Sequence, residues 1–244
     1  MFSYFFTLAK SHIPARFFCI DIKINQEGCY DQLGERKFDQ SLNIRTVGLR
    51  EWRDSSLPYH RYEATPYRAL EQLFSKYKLS NEDQLVDFGC GRGRVLFYIH
   101  RRFQIPVTGV EVNEQTLNEA LRNKHNYRRY ANHISAPLRL EYGVAEQYEI
   151  QPEDNRFFFF NPFSVQIFRQ VVSNIVESAQ KFPRAVDLIL YYPVPDYKRF
   201  LHNSTDFKLF NKVKLSGAKD PLEKFLLYRL DTRRPSDEGL IGGV

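Results

Sequence analysis

The chain has 244 residues, 43% hydrophobic and 26% charged, with a formal net charge of +6. That balance is globular and excludes intrinsic disorder. No apolar run of about 18 residues is present to span a bilayer, and no period of roughly 20–50 residues repeats, which excludes solenoids and propellers. The positive charge permits a nucleic-acid or anionic-lipid partner without requiring one.

Residues 1–64 show no clean periodicity. The opening MFSYFFTLAKSH is apolar but lacks a basic n-region and a cleavage site, so no secretory leader is expected. Phe17 to Ile24 alternates as a strand does. A polar, glycine-containing stretch follows, QEGCYDQLGER, and then a weaker extended stretch near Leu42 to Leu49. This portion reads as a small N-terminal cap. Three cysteines, Cys19, Cys29 and Cys90, form no CxxC pair, and the histidines complete no zinc pattern. No metal is expected, and reduced thiols point to a cytoplasmic protein; a Cys19–Cys29 pair is the alternative.

The pattern changes at Thr65. Thr65 reads as an N-cap with Pro66 at the first helical position, and Leu70, Leu73, Phe74 and Tyr77 recur at helical spacing. LVDFGCGRGRVLFYIHRRF reads as strand, glycine turn and helix. PVTGVEVN is a second strand, and Asn113 caps a helix to about Tyr130 with Leu117, Ala120 and Leu121 facing inward. PLRLEYG and RFFFFN are the third and fourth strands. Val165 to Phe182 has the stripe of a well-buried helix, VDLILYYP is a fifth strand, and a short helix lies near Tyr197–Leu201. DFKLFNKVKL and EKFLLYRL, joined by SGAKDP, predict an antiparallel hairpin. Alternating strand and helix predicts an α/β domain over 65–231, a doubly wound, mostly parallel seven-stranded sheet ending in that hairpin. Residues 232–244 read as a mobile tail.

The sharpest signal is Asp87-Phe88-Gly89-Cys90-Gly91-Arg92-Gly93, where the first strand meets its helix. Doubly wound sheets bind cofactors at this edge, and glycines let a ligand approach the backbone. A dinucleotide fingerprint needs a third glycine where Arg94 stands. Asp87 would also repel a pyrophosphate, whereas it suits a cationic ligand such as an amino-acid ammonium.

DFGCGRG resembles motif I of the class I S-adenosylmethionine-dependent methyltransferases, D/E-x-G-x-G-x-G. The resemblance covers about two-thirds of the chain, from near residue 65 to 231. It implies that Asp87, Gly89, Gly91 and Gly93 cradle the methionine part of S-adenosyl-L-methionine, with S-adenosyl-L-homocysteine as product. Glu111, ending the second strand, stands where the family holds the ribose hydroxyls; a carboxylate can accept both. After the third strand the family often carries an aspartate for adenine. Here Val144 replaces it, leaving the backbone of Val144 and Ala145, or the side chain of Glu146, to meet the ring.

Asn161-Pro162-Phe163 resembles motif IV of amino-methyltransferases, D/N-P-P-Y/F, one proline short. The resemblance implies that Asn161 and a neighbouring carbonyl hold a target nitrogen while Phe163 stacks on a planar substrate. The residue-level alternative for Asn161 is a cap for the next helix. Tyr59, His60, Tyr62 and Tyr67 are candidates for a lid. The basic stretch from Arg122 to Tyr130 is either the solvated end of a helix or a nucleic-acid contact. Arg92 and Arg94 are expected to face an acidic neighbour or the cofactor carboxylate. The acceptor is a small molecule, RNA or protein, with nitrogen favoured by Asn161 and Pro162. Two other functions compete: a methyltransferase-like binding module for RNA or protein, and a nicotinamide-dependent oxidoreductase, against which Asp87 and Arg94 argue.

Overall fold

The computed structural model describes residues 28–48 and 63–233. The strand expected at Phe17–Ile24, the Cys19–Cys29 pair, Tyr59, His60, Tyr62 and the tail beyond Arg233 lie outside the described residues. Seven strands make one sheet: β1 (Leu85–Phe88), β2 (Val107–Glu111), β3 (Leu138–Tyr142), β4 (Arg156–Phe159), β5 (Ala185–Tyr191), β6 (Lys208–Lys214) and β7 (Lys224–Asp231). Their order is β3-β2-β1-β4-β5-β7-β6. The first five run parallel, and β7 inserts antiparallel between β5 and β6. This is the expected doubly wound, mostly parallel sheet with its terminal hairpin.

The inner strands are apolar on both faces, as a sheet covered on both sides requires. Leu85, Phe158, Ile189, Phe225 and Leu227 face α2 (Tyr67–Lys76) and α3 (Arg94–Phe103), which Tyr127 of α4 (Glu114–Arg128) joins. Val86, Phe88, Phe157, Phe159 and Leu188 face α5 (Val165–Lys181) and α6 (Pro195–Ser204). Asn113 caps α4 as expected, its side chain accepting from the Thr116 N–H at 2.8 Å. Leu121 is 42% exposed, against expectation. The buried stripe of α4 runs Leu117, Ala120, Asn123, Tyr127, and Leu121 lies one residue around from it.

The larger difference precedes the sheet. Residues Gly28–Ser41 form a helix, α1, where the sequence shows only a polar stretch. Among its described side chains Asp39 is buried and Glu35 and Phe38 are half-buried, so no apolar stripe announces it. The expected cap of α2 also changes. Thr65 makes no capping bond, Pro66 takes the cap position, and the Tyr67 N–H donates to Glu35 of α1 at 3.0 Å. One helix thus satisfies the amino end of another.

At the far end of the sheet, Asp187 on β5 is completely buried. It accepts from the Tyr77 hydroxyl at 2.6 Å and from Arg229 of β7 in bidentate fashion at 2.7 and 2.8 Å. The pair fixes the insertion of β7 beside β5. Asp187→Ala is expected to destabilise the fold by ~1.5–3 kcal/mol, the range for hydrogen bonds to a charged group. Urea unfolding measures it, and an unchanged midpoint would remove the pair from the account.

Candidate functional site

Between β1 and α3 the chain turns through Gly89, Gly91 and Gly93, each at positive φ. The turn is tied to β2: the N–H groups of Gly89 and Cys90 both donate to the Val110 carbonyl, at 2.9 and 3.1 Å. Gly89 has a second constraint. A Cβ there would lie 2.6 Å from the Pro162 Cβ, at the end of β4. The two motifs read separately in the sequence are therefore pressed together at one edge of the sheet. Gly109, in mid-β2, is a further glycine that sequence reading passed over. A Cβ on it would meet Leu96 at 2.4 Å and Cys90 at 2.6 Å, so it lets the turn and α3 settle onto the sheet. The Cys90 thiol is buried there, and burial pushes its pKa up.

Asp87 lies opposite Gly109 in the β1–β2 register, and Glu111 is next but one along β2, hence on the same face. Both are buried, at 4% and 6% exposure. Glu111 is held by backbone: one carboxylate oxygen accepts from the Gly91 N–H at 2.9 Å, the other from the Asn113 N–H at 2.8 Å. Each oxygen retains capacity for another donor. Burial raises the Glu111 pKa against these bonds. Asp87 receives no such support. Burial, and then the charge of Glu111, lift its pKa to about 8. Among the described residues no cation pairs with either carboxylate.

Both turn arginines face acidic neighbours, as anticipated. Arg92 pairs with Glu119 at 2.5 Å and donates to the Val47 carbonyl at 2.9 Å. Arg94 is buried. Its guanidinium bonds Glu35 and the Thr46 hydroxyl, lies 3.9 Å from Asp39 and covers the Tyr67 ring at 4.5 Å. Asp39 accepts from the Thr46 and Val47 N–H groups and from the Tyr67 hydroxyl. Tyr67 is thus a core residue stacked on Phe38, not part of a lid. Asn123 completes the join, bonding the Arg45 N–H and the carbonyls of Arg45 and Arg92. No sequence pattern marks this network, because its members are polar and scattered over four segments.

Beyond β3, Val144 precedes a single 3-10 turn, Ala145–Gln147. Ala145 is buried against the α5 layer, Val144 and Glu146 are half-buried, and the Glu146 carbonyl accepts from Asn174. Asn161 ends β4 in the left-handed region, φ 43°. Tyr192, ending the adjacent β5, does likewise at φ 51°. Two non-glycine residues thus take left-handed backbone at neighbouring strand ends, the conformation costing less for Asn161 than for Tyr192.

Phe163 differs from expectation. It is 1% exposed, its ring meets Phe159 edge-on, and its carbonyl accepts from the Tyr197 hydroxyl. It packs beneath the edge and cannot stack on a substrate. Phe160 and Tyr192, partly buried and 6.5 Å apart, are the aromatics at the rim. Part of the basic stretch is structural too: Tyr127 bonds His100 at 2.7 Å and Arg128 binds the carbonyls of Ile134 and Ala136, while Arg122, His125 and Arg129 are exposed.

No family model matches the sequence. It is 33% identical over 70 residues to a protein-lysine N-methyltransferase of Saccharolobus islandicus (strain REY15A), a match covering 28% of this chain. The match spans less than half, 44%, of that relative's length. Among solved structures, it is similar to an RNA methyltransferase from Salinibacter ruber in complex with S-adenosyl-L-homocysteine. That likeness has 15% identity and a TM-score of 0.45, over 70% of this chain and 95% of the other. It is also similar to a putative RNA methyltransferase from Pyrococcus horikoshii, with 14% identity and a TM-score of 0.49, over 82% and 100% of the two chains.

The raised Asp87 pKa has a signed consequence. The folded protein keeps a proton that the unfolded chain has lost, so stability falls as pH climbs from about 4, the unfolded value, toward about 8. Asp87→Asn removes that burden. Its ligand-free melting temperature is expected to exceed the wild-type value at pH 8 and to match it near pH 4. A gain that does not depend on pH would mean that Asp87 is ionised and already compensated.

Proposed function

We propose that the protein is an S-adenosyl-L-methionine-dependent methyltransferase of class I, acting on a nitrogen acceptor. The observation that carries this is the pair of buried carboxylates beside a glycine turn, Asp87 and Glu111, with no cation paired to either among the described residues. A pyrophosphate there would meet the charge of Glu111 and hold Asp87 in its protonated form, offering nothing to offset their burial, which counts against nicotinamide chemistry. An amino-acid ammonium would offset the cost of burying Asp87, and ribose hydroxyls would donate to the free lone pairs of Glu111. The donor set therefore fits S-adenosyl-L-methionine, which when bound supplies a methyl group already activated on a sulfonium.

The chain's own part is alignment and exclusion of water. Gly89 offers an exposed, side-chain-free surface to the methionine portion, with Gly91 and Gly93 shaping the turn beneath it. Val144, Ala145 and Glu146 form the rim on the adenine side. Asn161 and Pro162 end the neighbouring strand, where Asn161 would orient the acceptor amine. Tyr192 and Phe160 take the stacking role that motif IV assigns to its aromatic. No described residue stands out as a general base, so the acceptor nitrogen would arrive with its lone pair free. The burial of Phe163 keeps a competing reading in play, a methyltransferase-like binding module. Turnover on any acceptor excludes it.

Calorimetric titration with S-adenosyl-L-homocysteine, run beside NADH, tests the assignment. Micromolar binding of the first alone is expected. Binding should ionise Asp87, so affinity is expected to tighten by up to about tenfold per pH unit between pH 6 and 8. Near neutrality it should release a proton, read from buffers of different ionisation enthalpy. Asp87→Ala is expected to abolish binding and Glu111→Ala to weaken it by ~1.5–3 kcal/mol. Asn161→Ala should lower turnover more than cofactor affinity. Binding of NADH instead would overturn the proposal.

A further inference from the structure

Four lysines converge beside the acceptor end of the sheet. Lys212 and Lys214 are exposed and next but one on β6, hence on one face and roughly 6.6 Å apart along the strand. Lys224 stands directly opposite Lys214 in the β6–β7 register. Lys198 projects from α6, on the same side of the sheet. Like charges placed opposite one another in a ladder cost stability. Burial, then Lys198, Lys212 and Lys214, hold the Lys224 pKa below its ordinary value. Asp220 is the carboxylate that faces this group, and its oxygens are taken by the Tyr192 hydroxyl and the Leu222 N–H. None of the four ammoniums forms an ion pair with a carboxylate among the described residues.

Lysines on an edge strand commonly guard it against pairing with another sheet. That role accounts for Lys212 and Lys214. It does not account for Lys224, one strand further in, or for Lys198 on a helix. The cluster also has a definite address. The Lys224 carbonyl accepts from the Tyr192 N–H at 3.1 Å, so the cations begin where β5 ends, beside the strand end that carries Asn161. This is the half of the edge away from Asp87 and Glu111.

We propose that Lys198, Lys212, Lys214 and Lys224 form a docking site for the phosphodiester backbone of single-stranded nucleic acid. A row of ammoniums along a strand suits a polymer with one charge per nucleotide better than the scattered carboxylates of a protein surface. Single strands suit the site because an amine held within a duplex stack must first be unstacked before an enzyme can reach it. The proposal deepens the methyltransferase reading by naming the acceptor class, while the docking itself is measured without it.

The test is fluorescence anisotropy of a labelled 20-nucleotide oligouridylate with the full chain, titrated at several salt concentrations. Lys212→Glu/Lys214→Glu is compared with wild type. Each lost phosphate contact removes about 0.7 from the slope of log affinity against log salt on single strands. The double variant should therefore show a slope lower by about 1.4 and at least tenfold weaker binding at low salt, with circular dichroism and S-adenosyl-L-homocysteine affinity unchanged. Equal binding by variant and wild type overturns the proposal. So does displacement of the oligonucleotide by polyglutamate at matched charge, which would assign the patch to an acidic protein. Loss of S-adenosyl-L-homocysteine binding by the wild-type chain would count against the methyltransferase reading and leave the docking result standing.

Discussion

Lack of room above two glycines organises this molecule. Gly89 touches Pro162, and Gly109 touches Leu96 and Cys90, so closely that neither has space for a methyl group. The first contact brings the ends of β1 and β4 into one rim. The second lowers α3 and the glycine turn onto β2. Everything chemically interesting lies around these contacts, because they set how far each strand end reaches. Close packing leaves no slack here: an added side chain would push the turn away from Val110 and disturb the backbone that holds Glu111.

The rim built this way has two electrical halves. On the side of β1 and β2, carboxylates are buried together at a cost that a retained proton on Asp87 offsets in the free protein and that a positively charged or donor-rich guest would offset in its place. On the side of β5, β7 and β6, ammoniums crowd one another in a manner that calls for an anion. A sulfonium-bearing cofactor and a polyanionic acceptor would each relieve one half. The separation would also keep two such guests from competing for the same ground.

Much of the fold was legible because its elements carry strong periodic signals. The run RFFFFN and the stripe from Phe168 to Ala179 admit few other structures, and the loop SGAKDP between two alternating runs announces the hairpin. The glycine turn was legible because Asp87, Gly89, Gly91 and Gly93 are adjacent in sequence, and its three glycines do take positive φ. What sequence could not disclose depends on atoms distant in the chain. Phe163 looks like a substrate platform until the stacked rings of Phe168 and Tyr197 show the pocket it fills. Gly109 looks like a weak spot in a strand until Leu96 is placed over it. Helix α1 is hidden because charge pairing, not an apolar stripe, attaches it, and no 3.6-residue pattern exists to detect.

That attachment bears on where the domain begins. A boundary drawn at residue 65 follows the change in hydrophobic pattern, yet it separates Arg94 from Glu35, Asp39 and Thr46. Trimming to such a boundary would strip the Arg94 guanidinium of Glu35 and Asp39 and leave it the Thr65 carbonyl and the Tyr67 ring. The first residue of the helix that follows the glycine turn would then be the fault line of the fragment. Helix α1 is thus not a detachable accessory: any recombination that transplanted the sheet and its helices into another chain would have to carry this short polar helix with them.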